Sequence, residues 1–348
     1  MPHINDLDTP ALLCDLNVLE ANLELMAERC RALDIALRPH TKSHKVPEIS
    51  KLQIEHGAQG ITCQKFGEAE AMAAGGIDDI LVAYNIVGRV KTERLAKLAA
   101  STRVLVAVDS ETTARGISDA MSAASSEVGI LIELDTGSHR CGVQSPEDAA
   151  TLAAVVGELP GVRFDGIMTY PSRESAKAFI DETVELIGRA GLECSIISGG
   201  GTGSEAASKF LGCTETRSGS YIWEGGSRIG KSDDLSPDRC PLRLYCTVVS
   251  TAVPGQIIFD AGMKALTALP SSPYGYIIDH PDAKIKGMSV EHGHVDIADC
   301  SHEFKVGDRI SVIPLHGGMT TNLHNRMYAV RNGVVEAEWV VAGRGRFD

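Results

Sequence analysis

Lys42 stands in the run Arg38-Pro39-His40-Thr41-Lys42-Ser43-His44-Lys45, where an apolar stretch over Ile35–Leu37 gives way to helical spacing over Val46–Ile54. A lysine at a strand-to-helix turn can attack a carbonyl carbon, although a Lys-rich turn is more often simply solvated. The remaining chemistry of the chain has to decide between the two. Far downstream, Ser198-Gly199-Gly200-Gly201-Thr202-Gly203-Ser204 lets backbone N–H groups approach an anion, and a helix starting near Ser204 adds its positive end. No Lys-Ser/Thr follows the last glycine, which excludes a Walker loop, and the run lacks the third glycine of a dinucleotide fingerprint. Shortly after it comes a second Gly-Ser turn, Arg217-Ser218-Gly219-Ser220-Tyr221.

The elements that must position these groups recur regularly. Strand-like runs begin near Ala36, Gly60, Asp79, Arg103, Val128, Phe164, Cys194 and Glu215. Helical spacing lies between them over Leu16–Arg31, Gly67–Ala74, Val90–Ala100, Ser110–Ala124, Pro146–Glu158 and Ser175–Ala190. Parallel β/α units in that number predict an α/β fold, a (β/α)8 TIM barrel over 14–235. Beyond 240 the runs are short and alternating: Thr247–Val253, Gln256–Asp260, Gly287–Glu291, His294–Ile297, Arg309–Ile313, Met327–Arg331 and Val334–Val341. They predict a C-terminal all-β domain, with Asn332-Gly333 as a hairpin turn. Residues 1–13 are too extended and polar to open the barrel and are assigned, with 236–348, to the β-domain.

A closed barrel gathers the C-terminal ends of its strands at one mouth. Lys42, Gln64, Tyr84, Asn85, the segment Asp135–Arg140, Tyr170, the glycine run and Arg217–Tyr221 then converge. A glycine cradle after the seventh strand and a Gly-Ser turn after the eighth form the usual phosphate position of such barrels. Phosphate on one side and a lysine on the other suit pyridoxal 5'-phosphate, whose aldehyde the lysine would hold covalently. Lys42 is nearer the strand end than Lys45, which starts the helix.

Composition narrows the class. Of 348 residues, 43% are hydrophobic, enough for a large core, and 46 acidic against 33 basic residues give a net charge of −13. Such a surface argues against nucleic acid and anionic membranes as partners. Nine cysteines without a C-x-x-C pair, several in apolar runs, read as reduced thiols of a cytoplasmic protein. The N-terminus lacks the pattern of a signal peptide, and no stretch of about 18 apolar residues occurs.

These motifs, in this order, resemble fold-type III pyridoxal phosphate enzymes, the alanine racemase-like class, in the branch of D-threonine aldolase and D-serine dehydratase. The likeness rests on the Lys42 segment, Phe66-Gly67-Glu68-Ala69-Glu70, Asp135-Thr136-Gly137-Ser138-His139-Arg140-Cys141-Gly142, the glycine run and Arg217-Ser218-Gly219-Ser220-Tyr221. Asp260-Ala261-Gly262-Met263-Lys264 and Glu291-His292-Gly293 extend it into the β-domain. The resemblance implies that Lys42 bonds the cofactor and that Arg140 meets its phenolic oxygen. It further implies that Tyr170 lies near the ring, and that Gly200, Gly201, Thr202, Ser220 and Tyr221 hold the phosphate. It implies a homodimer acting on a small amino acid.

Two segments depart from that branch. Its divalent metal is held by a histidine and, two residues on, a cysteine or aspartate. Here His316 is followed at that spacing by Gly318, which has no side-chain donor. His292, His294 and His324 are substitute candidates. After Tyr170, where the branch often has a histidine, stands Pro171-Ser172-Arg173-Glu174, and Arg173 suits an anionic substrate group. The expected reaction is retro-aldol cleavage of a D-3-hydroxy amino acid to glycine and an aldehyde. The alternatives are elimination from D-serine or 3-hydroxyaspartate, and racemisation, which needs a second base that Asp260–Lys264 does not offer.

Overall fold

The computed structural model describes residues 2–226, 229, 236–267 and 274–348. The expected barrel limit at 235 falls outside the described residues. Contacts divide the chain into two compact units. One comprises Leu25–Lys42, Pro47–Gly219 and Arg346–Asp348, the other Met1–Glu24, Ser43–Val46 and Ser220–Gly345.

The second unit is a sheet of nine strands. It holds β1 (Ala11–Asp15) and, after the eight strands of the other unit, β10 (Leu242–Ser250), β11 (Gln256–Phe259), β12 (Gly275–Ile277) and β13 (Lys284–Met288). It continues with β14 (Gly293–Asp296), β15 (Arg309–Pro314), β16 (Arg326–Arg331) and β17 (Val334–Val340). The order is β11-β14-β13-β12-β15-β10-β1-β16-β17, and a further β10–β11 pairing closes the first six into a ring. The N-terminal segment thus contributes β1, antiparallel to β10 and parallel to β16. Asn332 and Gly333 both take positive φ between β16 and β17, as the hairpin signal requires. The strand expected over Gly287–Glu291 instead ends at Met288, because Ser289 N–H donates to His292 O (2.8 Å) and turns the chain.

The first unit is the (β/α)8 barrel. Its strands are β2 (Ala36–Leu37), β3 (Ile61–Cys63), β4 (Asp79–Asn85), β5 (Arg103–Val108), β6 (Val128–Asp135), β7 (Val162–Tyr170), β8 (Ile196–Gly199) and β9 (Glu215–Thr216). They run parallel in the order β2-β9-β8-β7-β6-β5-β4-β3. The bridge between His40 and Thr62, with Thr62 N–H donating to Pro39 O (2.8 Å), closes the ring between β2 and β3. After α1 (Leu16–Ala32) and α2 (Pro47–Glu55), helices α3 (Phe66–Ala74), α4 (Arg89–Ala99), α5 (Glu111–Ala124), α6 (Pro146–Glu158) and α7 (Lys177–Arg189) alternate with its strands. Ser110 and Ser145 cap α5 and α6 through their side chains, and Pro146 opens α6 where no amide hydrogen is needed.

Strand alternation layers the interior. Leu81, Leu105, Ala107, Leu131 and Met168 fill the middle, with Ala83 and Ile196 packed against them. Two residues beyond Leu131 and Ile196, the same inward face carries Glu133 and Ser198, so the layer toward the mouth is polar. A register shift in the β6–β7 ladder sets this phase: Ile130 pairs with Phe164 but Leu131 with Gly166. Gly166 has φ +142°, and a Cβ there would strike the Ile196 carbonyl oxygen. Gly166→Ala is therefore expected to cost about 2–4 kcal/mol, read as a lowered urea midpoint with an unchanged slope.

Candidate active site

At the end of β2 the chain tightens into a 3-10 turn, Thr41–Ser43, that presents Lys42. Its neighbours are held firmly. Buried Thr41 donates its hydroxyl to Glu68 Oε1 (2.9 Å), and Glu68 Oε2 accepts Gln64 N–H (3.0 Å). Glu68 thereby ties the start of α3 to the turn before Lys42. His40 Nε2 meets Gln64 Oε1 (3.1 Å), and Gln64 Nε2 donates to Ala83 O (2.9 Å). Lys42 keeps contact with solvent at the open mouth, yet protein on its other sides desolvates the ammonium. That desolvation, with the charges of Arg217 and Arg140, holds the amine below the ordinary lysine value against the pull of Glu68.

Arg217 is almost wholly buried. Nη1 donates to Ser198 Oγ (2.8 Å) and Nη2 to Thr169 O (2.7 Å). Ser198 Oγ in turn donates to Glu215 Oε1 (2.6 Å), whose Oε2 accepts Arg38 Nε (2.8 Å). Arg140 lies over the Tyr170 ring, 5.6 Å from its centroid, with Nη2 3.7 Å from Glu133 Oε1. Glu133 also accepts the Cys141 thiol hydrogen (3.2 Å). Burial pushes the Glu133 carboxyl above its ordinary value, against the hydrogen bond from Cys141 and the charges of Arg140 and Arg217.

The 135–142 loop is wound around Asp135. Its Oδ1 accepts the N–H groups of Gly137, Ser138 and His139, each at 3.0 Å. Burial alone would raise this carboxyl, but the backbone donors and the Gln144 amide hold it down at about 2.

The glycine run crosses the same barrel mouth. Gly200 takes φ +73°, and a Cβ there would strike Ser208 Oγ and come within 2.9 Å of Thr216 Oγ1, which is buried with no hydrogen-bond partner among the described residues. A Cβ on Gly201 would lie 3.5 Å from Tyr170 Cε2. Thr202 Oγ1 accepts Gly219 N–H (3.1 Å), tying the turn after β9 to this run. Lys42, Arg140, Tyr170, Gly200, Gly201 and Thr202 thus all belong to the barrel unit. Ser220 and Tyr221 belong to the other unit, in a 3-10 turn where Trp223 N–H donates to Ser220 O (3.1 Å) and Tyr221 is buried.

His316 stands in the β-domain unit as the N-cap of the short helix Gly317–Thr321, its Nδ1 accepting Met319 N–H (3.1 Å). Of the substitutes, His324 Nε2 meets Ala265 O (2.8 Å) and His294 Nε2 meets Ser289 Oγ (2.8 Å). Among the described residues no three His, Cys, Asp or Glu side chains gather as metal ligands.

Reading motifs alone left Glu68, Glu133 and Arg217 without assigned roles. The available signal was a carboxylate in the inward phase of an otherwise apolar β6, and an arginine two residues beyond Glu215 on β9.

The profile of alanine racemase N-terminal domains matches residues 14–225, and that of serine dehydratase domains matches residues 241–330. The chain is 35% identical to a D-threonine aldolase of Arthrobacter sp, over 97% of this chain and 93% of that protein. It is 35% identical to a 3-hydroxy-D-aspartate aldolase of Paracoccus denitrificans (strain Pd 1222), over 98% and 93%. The crystal structure of D-threonine aldolase from Filomicrobium marinum superposes with a TM-score of 0.91 at 33% identity, covering 99% of this chain and 97% of that one.

The environment of Lys42 has a measurable consequence. In protein freed of cofactor, modification of Lys42 by an amine-selective reagent should titrate below the ordinary lysine value, because the neutral amine is the reactive form. Arg140→Met should move that midpoint upward by removing one repelling cation, as read by peptide mass mapping across pH.

Proposed function

The chain belongs to the alanine racemase-like family of fold-type III pyridoxal phosphate enzymes, and on that footing we propose that it is a lyase cleaving D-3-hydroxy amino acids. Retro-aldol cleavage to glycine and an aldehyde is the favoured reaction. The observation that carries this reading is Lys42, presented by the turn Thr41–Ser43 at a barrel mouth that also carries the Gly200 cradle, with the charges of Arg217 and Arg140 acting on it.

The residues present fit pyridoxal phosphate. The partnerless hydroxyl of Thr216 beside Gly200, the positive φ of Gly200 and the turn tied by Thr202 suit a phosphate. Arg140 suits the phenolic oxygen, Tyr170 the ring, and Ser220 and Tyr221 further phosphate contacts. When bound, the cofactor accepts the electron pair released as a bond at the substrate α-carbon breaks. The lowered proton affinity of Lys42 favours the form that bonds the cofactor, and Nζ can carry a proton. Glu68 and Thr41 hold the turn that aims it.

Elimination is the second reading, favoured by the serine dehydratase match over 241–330. A divalent metal at His316 would lack a second ligand at Gly318, and expulsion of hydroxide depends more on such a Lewis acid. We also assign the chain to a cytoplasmic homodimer and keep the domain limits at 14–235 for the barrel, with 1–13 and 236–348 for the β-domain. Nine free cysteines, six of them buried, support a reducing compartment. No described helix is long and apolar enough to cross a membrane.

The purified protein should be yellow, and Lys42→Ala should remove the visible band and lower turnover by at least about a thousandfold. With D-threonine, D-serine and D-3-hydroxyaspartate, glycine marks aldol cleavage, a 2-oxo acid with ammonia marks elimination, and the L-enantiomer marks racemisation. Running each with a strong chelator tests the metal. A protein that stays colourless after reconstitution overturns the reading.

A further inference from the structure

Arg173 is exposed, and among the described residues it makes no ion pair. Most other described arginines are engaged by carboxylates, although Arg309, Arg344 and Arg346 likewise form no ion pair among the described residues. Its segment is fixed at several points. Tyr170 stands against Gly201, Pro171 O accepts the Thr136 hydroxyl (2.7 Å), and buried Ser172 accepts a hydrogen bond from Ser208 Oγ (3.0 Å). Arg173 O accepts Ala176 N–H (2.9 Å), starting the 3-10 turn Glu174–Ala176. The side chain following Ser172 is thus directed to the rim, where Arg173 Nη1 comes within 3.6 Å of the position a Cβ on Gly137 would occupy.

Glu174, next in sequence, forms no ion pair with it among the described residues, and the two acids at the end of β6 are committed elsewhere. Asp135 is spent on its own loop and the Gln144 amide, and Glu133 faces Arg140 and Cys141 inside the barrel. Arg217 is buried and donates to Ser198 and Thr169, and Arg140 lies over Tyr170. A planar guanidinium that pairs with no described carboxylate, on a braced segment beside the 135–142 loop, matches a carboxylate brought by the ligand.

We propose that Arg173 is a specificity-determining residue that receives the side-chain carboxylate of an acidic D-3-hydroxy amino acid, so that 3-hydroxyaspartate is preferred over threonine. This rests on the lyase reading above. The residue takes no part in bond cleavage. It adds binding energy only for a substrate with a second carboxylate, so its loss acts on the ratio of two substrates.

The test compares kcat/KM for D-3-hydroxyaspartate and D-threonine in the holoenzyme, in Arg173→Met and in Arg173→Lys. The methionine variant should lose about 10- to 100-fold on 3-hydroxyaspartate, mainly through KM, while keeping its colour and its rate on D-threonine. The lysine variant should recover part of the loss, since it restores charge without the two-pronged geometry. An unchanged ratio, or an equal fall on both substrates, overturns the assignment. Failure of the lyase reading would appear separately, as a colourless wild-type protein or one that cleaves neither substrate.

Discussion

Glu215 is the carboxylate on which the barrel interior depends. It is fully buried on β9, accepting Arg38 Nε and the Gln59 amide on one oxygen and Ser198 Oγ on the other. Ser198 links it to Arg217, and Arg38 continues to Asp79, which also pairs with Arg103. One chain of hydrogen bonds therefore passes through the barrel, from the rim opposite the mouth to the layer beneath Lys42. Burying two guanidinium groups and a carboxylate is costly, and only their mutual saturation makes it tolerable. Removing Glu215 would take from buried Arg217 its nearest offsetting charge and leave Arg38 with Asp79 alone.

That network connects stability to chemistry. Arg217 is placed by Ser198 and Thr169 rather than by a ligand, so its positive field is present before any substrate arrives. Together with desolvation and Arg140, the field lowers the proton affinity of Lys42. Glu68 acts from the opposite side, anchoring Thr41 while its charge favours the ammonium. The proton affinity of the amine is thus set by groups of the scaffold.

Much of this was legible before any coordinates. The eight barrel strands start within about two residues of where hydrophobic runs begin, because parallel strands covered on both faces read as continuous apolar stretches. The Lys42 segment, the glycine run and the Arg140 loop stood out through residue types that only special backbone or charge chemistry requires. The three-residue β12 did not, being too short to show alternation. Glu133, Glu68 and Arg217 were visible as residues but not as parts, since a lone charge in a motif carries no sign of its partner.

By itself the sequence determined the periodicities, the turns and the residue types: which stretches alternate, where glycine permits positive φ, and that a lysine follows the first barrel strand. Only the tertiary structure decided which charges meet. Arg217 and Glu215 are two residues apart, yet the serine that links them comes from β8, and the arginine that balances Glu215 follows β2. Electrostatic energy depends on distance and burial, and neither is a property of spacing along a chain. The lowered proton affinity of Lys42 and the absence of a described carboxylate on Arg173 are therefore features of the closed barrel.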